Sequence, residues 1–126
     1  MGKKGSYEGG IIAPGVNLSL EALYLAAARL PRISLKPLSG DNTLIGKNTI
    51  QAMESGIFWG YVSMIEGLVN KIKSLDEYND FKVIATGGLS NLFKKSIYSN
   101  DLIENDLTLI GLANLFVNNN KYQFEV

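Results

Sequence analysis

Between Asn48 and Lys73 apolar residues recur every three or four positions: Ile50, Met53, Ile57, Tyr61, Ile65, Leu68 and Ile72. That spacing puts them on one face of a 3.6-residue helix, and at 1.5 Å per residue it predicts a single helix ~38 Å long. Asn48 has the chemistry of an N-cap, and Gln51, three residues on, can reach back in the manner of a capping box. The backbone N–H groups near Asn48 and Thr49 then point out of the helix, toward any bound anion. A second stripe on the same helix consists of Ala52, Gly56, Gly60, Ser63 and Gly67. Glycine inside a helix costs roughly 1 kcal/mol relative to alanine. The stripe therefore calls for close approach of another backbone, either within the fold or across a two-fold axis to a second copy. Glu54, Glu66, Asn70 and Lys71 interrupt the apolar run and argue against a membrane span.

The rest of the chain changes period several times. Glu8–Gly15 reads as a strand running into a tight turn through Pro14-Gly15, and a strand so early in the chain leaves its pairing partners unaccounted for. Val16, Leu20, Leu23, Ala27 and Leu30 then define a helical face that Pro31 ends at Leu30. Ile33–Leu35 is a brief extended segment and Pro37–Thr43 a polar loop leading into the long helix. After the polar connection Ser74–Asp80, the apolar run Phe81–Ala85 predicts a buried strand. It stops at Thr86-Gly87-Gly88, and Leu89, Leu92, Phe93 and Ile97 resume helical spacing. Tyr98–Asn105 is polar with room for a short strand. Leu109, Leu112, Ala113 and Phe116 make a last helix, expected to fray into Asn118-Asn119-Asn120 ahead of a peripheral tail. Alternation of strands and helices predicts an α/β layer architecture.

Composition narrows the chemistry. At 126 residues and 46% hydrophobic content the chain suits one domain, or a large piece of one, with a core to bury. Twelve basic and twelve acidic residues cancel without forming blocks, so there is no electrostatic footprint for nucleic acid or an anionic membrane. Cysteine is absent, which excludes disulfides and thiolate chemistry, and no targeting or transmembrane segment is visible, which makes the cytoplasm the expected compartment. Histidine is absent too, removing Ser-His-Asp and Cys-His arrangements and imidazole metal sites together. No resident metal is expected. Thirteen glycines, many paired or beside Thr, Asn and Pro, point instead to backbone recognition of a phosphorylated ligand. At the Thr86-Gly87-Gly88 turn backbone amides can hold a phosphate or ribose. A plain strand-to-helix turn reads the same way, and neither a Walker lysine nor a full G-x-G-x-x-G accompanies it.

Four segments carry a resemblance: Gly9-Gly-Ile-Ile-Ala-Pro-Gly15, Ile45-Gly-Lys-Asn-Thr49 with Ala52-Met-Glu-Ser-Gly56, Ile84-Ala-Thr-Gly-Gly-Leu89, and Asp106-Leu-Thr-Leu-Ile-Gly-Leu112. In this order and spacing, from about Gly5 to Asn120, they resemble the C-terminal half of a type III pantothenate kinase. The resemblance implies an actin-like, ribonuclease-H-related domain. It also implies ATP-dependent phosphorylation of pantothenate to 4′-phosphopantothenate, the first step of coenzyme A biosynthesis. By that likeness Thr86, Gly87 and Gly88 contact the nucleotide, Thr49 contacts pantothenate with Asn48 supporting the turn, and the helix bearing Gly56, Gly60, Ser63 and Gly67 forms a homodimer.

The family's N-terminal half carries an Asp-x-Gly-Asn-Thr phosphate loop, the aspartate that activates the pantothenate hydroxyl, and a site for a monovalent cation, K⁺ or NH₄⁺. None of these motifs occurs in this sequence. Two smaller departures are Glu54, where the family has Gln, and Ile110, where it has Glu. Residues 1–126 are therefore expected to be one domain of a two-domain kinase, without catalytic residues of their own. Mg²⁺-ATP chemistry then resides largely on the other half, and the chain alone is inactive. A non-catalytic regulatory module working through protein partners is the competing expectation, and an inactive α/β fragment the plainest one.

Overall fold

The computed structural model describes residues 5–26, 30–40 and 43–121, excluding the side chains of Asn120 and Lys121. The chain divides into two compact units, Met1–Ile33 and Ser34–Val126.

In the first unit, residues 5–15 form neither helix nor strand. The strand expected over Glu8–Gly15 is absent because no described segment pairs with it, and Ile11 and Ile12 are exposed, Ile12 completely. Helix α1, Val16–Ala26, begins with the Ser19 amide donating to Gly15 O at 3.0 Å and buries Val16 and Leu20. The helical face expected to run to Leu30 stops earlier: Leu30 is not helical, and Ala27 lies outside the described residues. Tyr24 shows why. Its hydroxyl accepts from the Ile33 amide at 2.7 Å and lies 3.2 Å from Ile33 O. A helix continued through those nine positions would carry Ile33 ~13 Å along the axis, out of reach. The Arg32 guanidinium stacks over the Tyr24 ring, 5.5 Å from its centroid, and holds the same reversal.

Helix α2, Thr49–Lys73, dominates the second unit. Asn48 caps it with extended backbone, φ −148° and ψ 170°, and its Oδ1 accepts from the Gln51 amide at 2.9 Å. Gln51 reaches back one residue further than a capping box requires, its Oε1 accepting from the Lys47 amide at 2.9 Å. At the other end the Ser74 amide donates to Asn70 O and Ile72 O, while Lys71 and Lys73 complement the helix dipole. The buried arc is broader than the predicted face. Met53 and Ile57 are buried as expected, but so are Ser55, Phe58 and Val62, whereas Ile50 and Ile72 are exposed. Phe58, fully buried, is the pivot: its ring lies edge-on to Trp59 at 5.1 Å and against Phe93 at 5.3 Å.

Strand β1, Ile84–Ala85, pairs in parallel with β2, Leu102–Ile103, in the register Ile84 with Leu102 and Ala85 with Ile103. The strand expected from Phe81 is shorter at its start. The Phe81 amide closes a turn onto Tyr78 O, and the Val83 amide is taken by the Asp101 carboxylate. Helix α3 has only four residues, Ser90–Phe93, then unwinds into a turn that still buries Ser96 and Ile97. The Tyr98 amide donates to Glu66 Oε1 at 2.7 Å, anchoring this segment to α2. Helix α4, Leu107–Lys121, runs through Asn118–Asn120 without the expected fraying. Its described side chains, Leu107–Asn119, are all exposed. The predicted peripheral tail, 122–126, lies outside the described residues. Among the described residues the α/β expectation thus reduces to helices and one two-stranded parallel sheet, and no helix is long and apolar enough to cross a membrane.

Candidate functional site

The entrance to α2 is built by close backbone approach. A Cβ on Gly46 would run into Ala52 N and the Gln51 carbonyl carbon, so only glycine lets the chain cross the first turn of the helix here. Ser55 ties the preceding segment down, its hydroxyl donating to Leu44 O. Asn48 spends its side-chain oxygen on the helix start, as the N-cap its sequence position predicted. Thr49 is exposed as the first helical residue. An open cavity of about 380 Å³ adjoins this entrance, bordered by Leu38, Thr43, Lys47, Gln51 and Glu54 among others, but by neither Asn48 nor Thr49. Gln51 and Glu54 lie on one face of α2, and Thr49 points about half a turn away from it.

Thr86, Gly87 and Gly88 leave β1 as one exposed turn. Gly87 has φ +92°, a conformation that side-chain-bearing residues rarely adopt. The turn is clamped by Ser90, whose amide and hydroxyl both reach Gly87 O, at 3.1 and 2.7 Å. The Ser90 hydroxyl also lies 3.1 Å from Asn105 Oδ1, joining the turn after β1 to the turn after β2. Periodicity did not single out Ser90 or Asn105. Ser90 carried a weak signal as a hydroxyl residue opening a helix, but Asn105 has none until parallel pairing brings the two strand ends together. With four residues α3 has too little dipole to gather a phosphate, so what the turn offers a ligand is its own amides, the Thr86 hydroxyl and the Asn105 amide.

Asp101 braces this edge from below. Its Oδ2 accepts from the Val83 amide at 2.7 Å, and Lys82 and Lys73 approach its carboxylate at 3.4 and 3.8 Å. The hydrogen bond from the Val83 amide holds its carboxyl below the usual carboxylate range; desolvation opposes that shift, and Lys82 and then Lys73 add to the lowering. Among the described residues no group of three Asp or Glu is placed to hold a metal ion.

The small stripe of α2 lies opposite its buried arc. Ala52, Gly56, Gly60, Ser63 and Gly67 are all exposed, and a Cβ on Gly56, Gly60 or Gly67 would meet nothing within 4 Å. Close packing inside the unit, one of the two explanations for the stripe, does not account for these glycines. The α2 entrance, the Thr86–Gly88 turn and the stripe are three separate places on the second unit, with no described hydrogen bond joining them.

The family model for type III pantothenate kinase matches residues 1–71. The chain is 50% identical over 115 residues to the type III pantothenate kinase of Caulobacter vibrioides, covering 91% of this chain and 43% of that protein. It is 50% identical over 114 residues to that of Zymomonas mobilis, covering 90% and 41%, and 51% identical over 117 residues to that of Sphingopyxis alaskensis, covering 92% and 44%. The match falls on the C-terminal portion of these relatives, of whose length the chain spans about two fifths. A family match over more than half of the chain, with half of the aligned residues identical across nine tenths of it, places this chain in the type III pantothenate kinase family.

Proposed function

We propose that residues 1–126 are the C-terminal domain of a kinase that transfers the γ-phosphoryl group of ATP to pantothenate, giving 4′-phosphopantothenate and ADP. The observation that carries this reading is 50% identity to named pantothenate kinases across almost the whole chain. The domain is read as actin-like and ribonuclease-H-related, its small parallel sheet being part of that architecture.

In the reaction a pantothenate hydroxyl oxygen bonds to the γ-phosphorus as the bond from that phosphorus to the ADP oxygen breaks, and the hydroxyl proton passes to a base. Such transfers depend mostly on positioning and on electrostatic stabilisation of the phosphoryl group. This chain has neither the phosphate loop nor the aspartate base, so it supplies binding. The Thr86–Gly88 turn meets the nucleotide, and Thr49, on an entrance fixed by Gly46 and Asn48, meets pantothenate. The catalytic aspartate and most ligands of the Mg²⁺ and K⁺ or NH₄⁺ ions belong to the N-terminal half. Exposure of Gly56, Gly60, Ser63 and Gly67 supports a homodimer formed along α2, and the cytoplasm is the proposed compartment.

The test is a mass-spectrometric assay for 4′-phosphopantothenate with ATP, Mg²⁺ and K⁺, using the chain alone and with a separately supplied N-terminal half of a related kinase. Product only in the complemented mixture is expected. Product from the chain alone overturns the assignment of the chemistry to the other half. No product in either mixture, with circular dichroism showing folded chain, overturns the kinase reading in favour of a regulatory one.

A further inference from the structure

Parallel strands present ligands to the loops beyond their carboxyl ends. Here those loops are Thr86–Gly88 after β1 and Glu104–Asp106 after β2, set side by side by the Ala85–Ile103 pair and by the Glu104 amide donating to Ala85 O at 2.9 Å. The second loop brings two carboxylates, Glu104, which accepts from the Asp106 amide at 3.0 Å, and Asp106 itself. Two acidic groups disfavour a bare phosphate beside them, so this rim suits the uncharged base and ribose of a nucleotide better than its phosphates.

One hydroxyl proton on Ser90 cannot serve Gly87 O at 2.7 Å and Asn105 Oδ1 at 3.1 Å together. Turning the Asn105 amide over exchanges its oxygen and nitrogen in the same volume and resolves the conflict. Nδ2 then donates to Ser90 Oγ while the Ser90 proton goes to Gly87 O. Asn105 keeps its carbonyl oxygen and its second N–H hydrogen for a ligand, an acceptor beside a donor. That pair matches the N6–H and N7 edge of adenine and mismatches the two acceptors, O6 and N7, that guanine presents there.

We propose that Asn105, positioned by the Ser90 hydroxyl against the Gly87 turn, reads the purine edge of the bound nucleotide and sets a preference for adenine. This rests on the nucleotide reading of Thr86–Gly88 given above. The experiment titrates the ¹⁵N-labelled chain with ADP and with GDP at millimolar concentrations, following the Thr86, Gly87 and Gly88 amides. ADP is expected to bind roughly five- to tenfold more tightly than GDP, the low end for a bidentate base contact at an exposed site. Asn105→Ala removes that ratio, and Asn105→Asp, isosteric but without the donor, removes it too, which covers the case of an Ala variant that does not fold. Ser90→Ala lowers the ratio by freeing Asn105, and Ser90→Thr, which keeps the hydroxyl, restores it. Equal binding of the two nucleotides by the wild type, or an ADP preference that both Asn105 variants keep, overturns this inference alone. No response to ADP in the wild type overturns the nucleotide reading of the turn along with it.

Discussion

Gly46 faces backbone atoms, Ala52 N and Gln51 C, at distances no Cβ occupies, so a side chain there displaces the start of α2 itself. Gly46→Ala is expected to cost roughly 1–3 kcal/mol through overpacking, read as a lower urea midpoint with unchanged slope. Asn48→Ala, which removes one cap bond and no space, is expected to cost about 1 kcal/mol. If Gly46→Ala proves the milder of the two, the 43–47 segment yields and the entrance is not set by close approach. The cap was legible in sequence because Asn48 and Gln51 act within one turn. The need for glycine at 46 was not, because it depends on where the incoming chain crosses the helix.

Elements are held to one another by a few polar groups that no periodicity reveals, and Asp101 is the clearest. It joins the C-terminal end of α2, through Lys73, to the approach to β1, through Lys82 and the Val83 amide. Its folded-state pKa is lowered. The stability its ionised form contributes is therefore fully present above the unfolded pKa, about 4, and is lost as pH falls through the folded value. Asp101→Asn is expected to unfold at lower urea than wild type at about pH 7, with the gap closing as pH falls below the unfolded pKa, about 4, and the wild-type carboxyl protonates. A gap that does not change with pH assigns the difference to hydrogen-bond geometry and not to charge. Helix α2 was predictable to within a residue at each end because its cap, its period and its basic last turn agree. Strand β1 was overestimated because an apolar run shows what can be buried, not how many residues find a partner strand. Leu30 was expected in helix α1 and is not, because the Tyr24 hydroxyl, which turns the chain back at Ile33, sits on that same helix.

Across the whole molecule, α2 presents opposite faces of opposite character. Gly60 lies on the open one, where a new side chain meets nothing. Gly60→Leu is therefore expected to leave the fold intact, or to stabilise it by up to about 1 kcal/mol through helix propensity, while abolishing the proposed dimer. Sedimentation velocity beside a thermal melt separates the two effects, and a dimer that survives the substitution moves the interface off this stripe. Helix α4 carries no charge from Leu107 to Asn120 and leaves Leu109, Leu112, Leu115 and Phe116 exposed, Phe116 at 70%. Its apolar residues were read correctly as helical, and that helix is exposed over its described side chains.

The sequence by itself determined what depends on neighbours along the chain: the span and cap of α2, the turn at Gly87, the absence of imidazole and thiol chemistry, and the order of segments that marks the family. Only the tertiary structure decided what depends on crossings between distant segments. These are the Ser90–Asn105 tie between two strand ends, the Asp101 brace, the glycine demanded at 46, and the exposure of the small stripe. The physical reason is range: caps, periods and positive-φ turns are settled within a few residues, whereas a hydrogen bond across 15 or 18 positions exists only once pairing has brought those positions together.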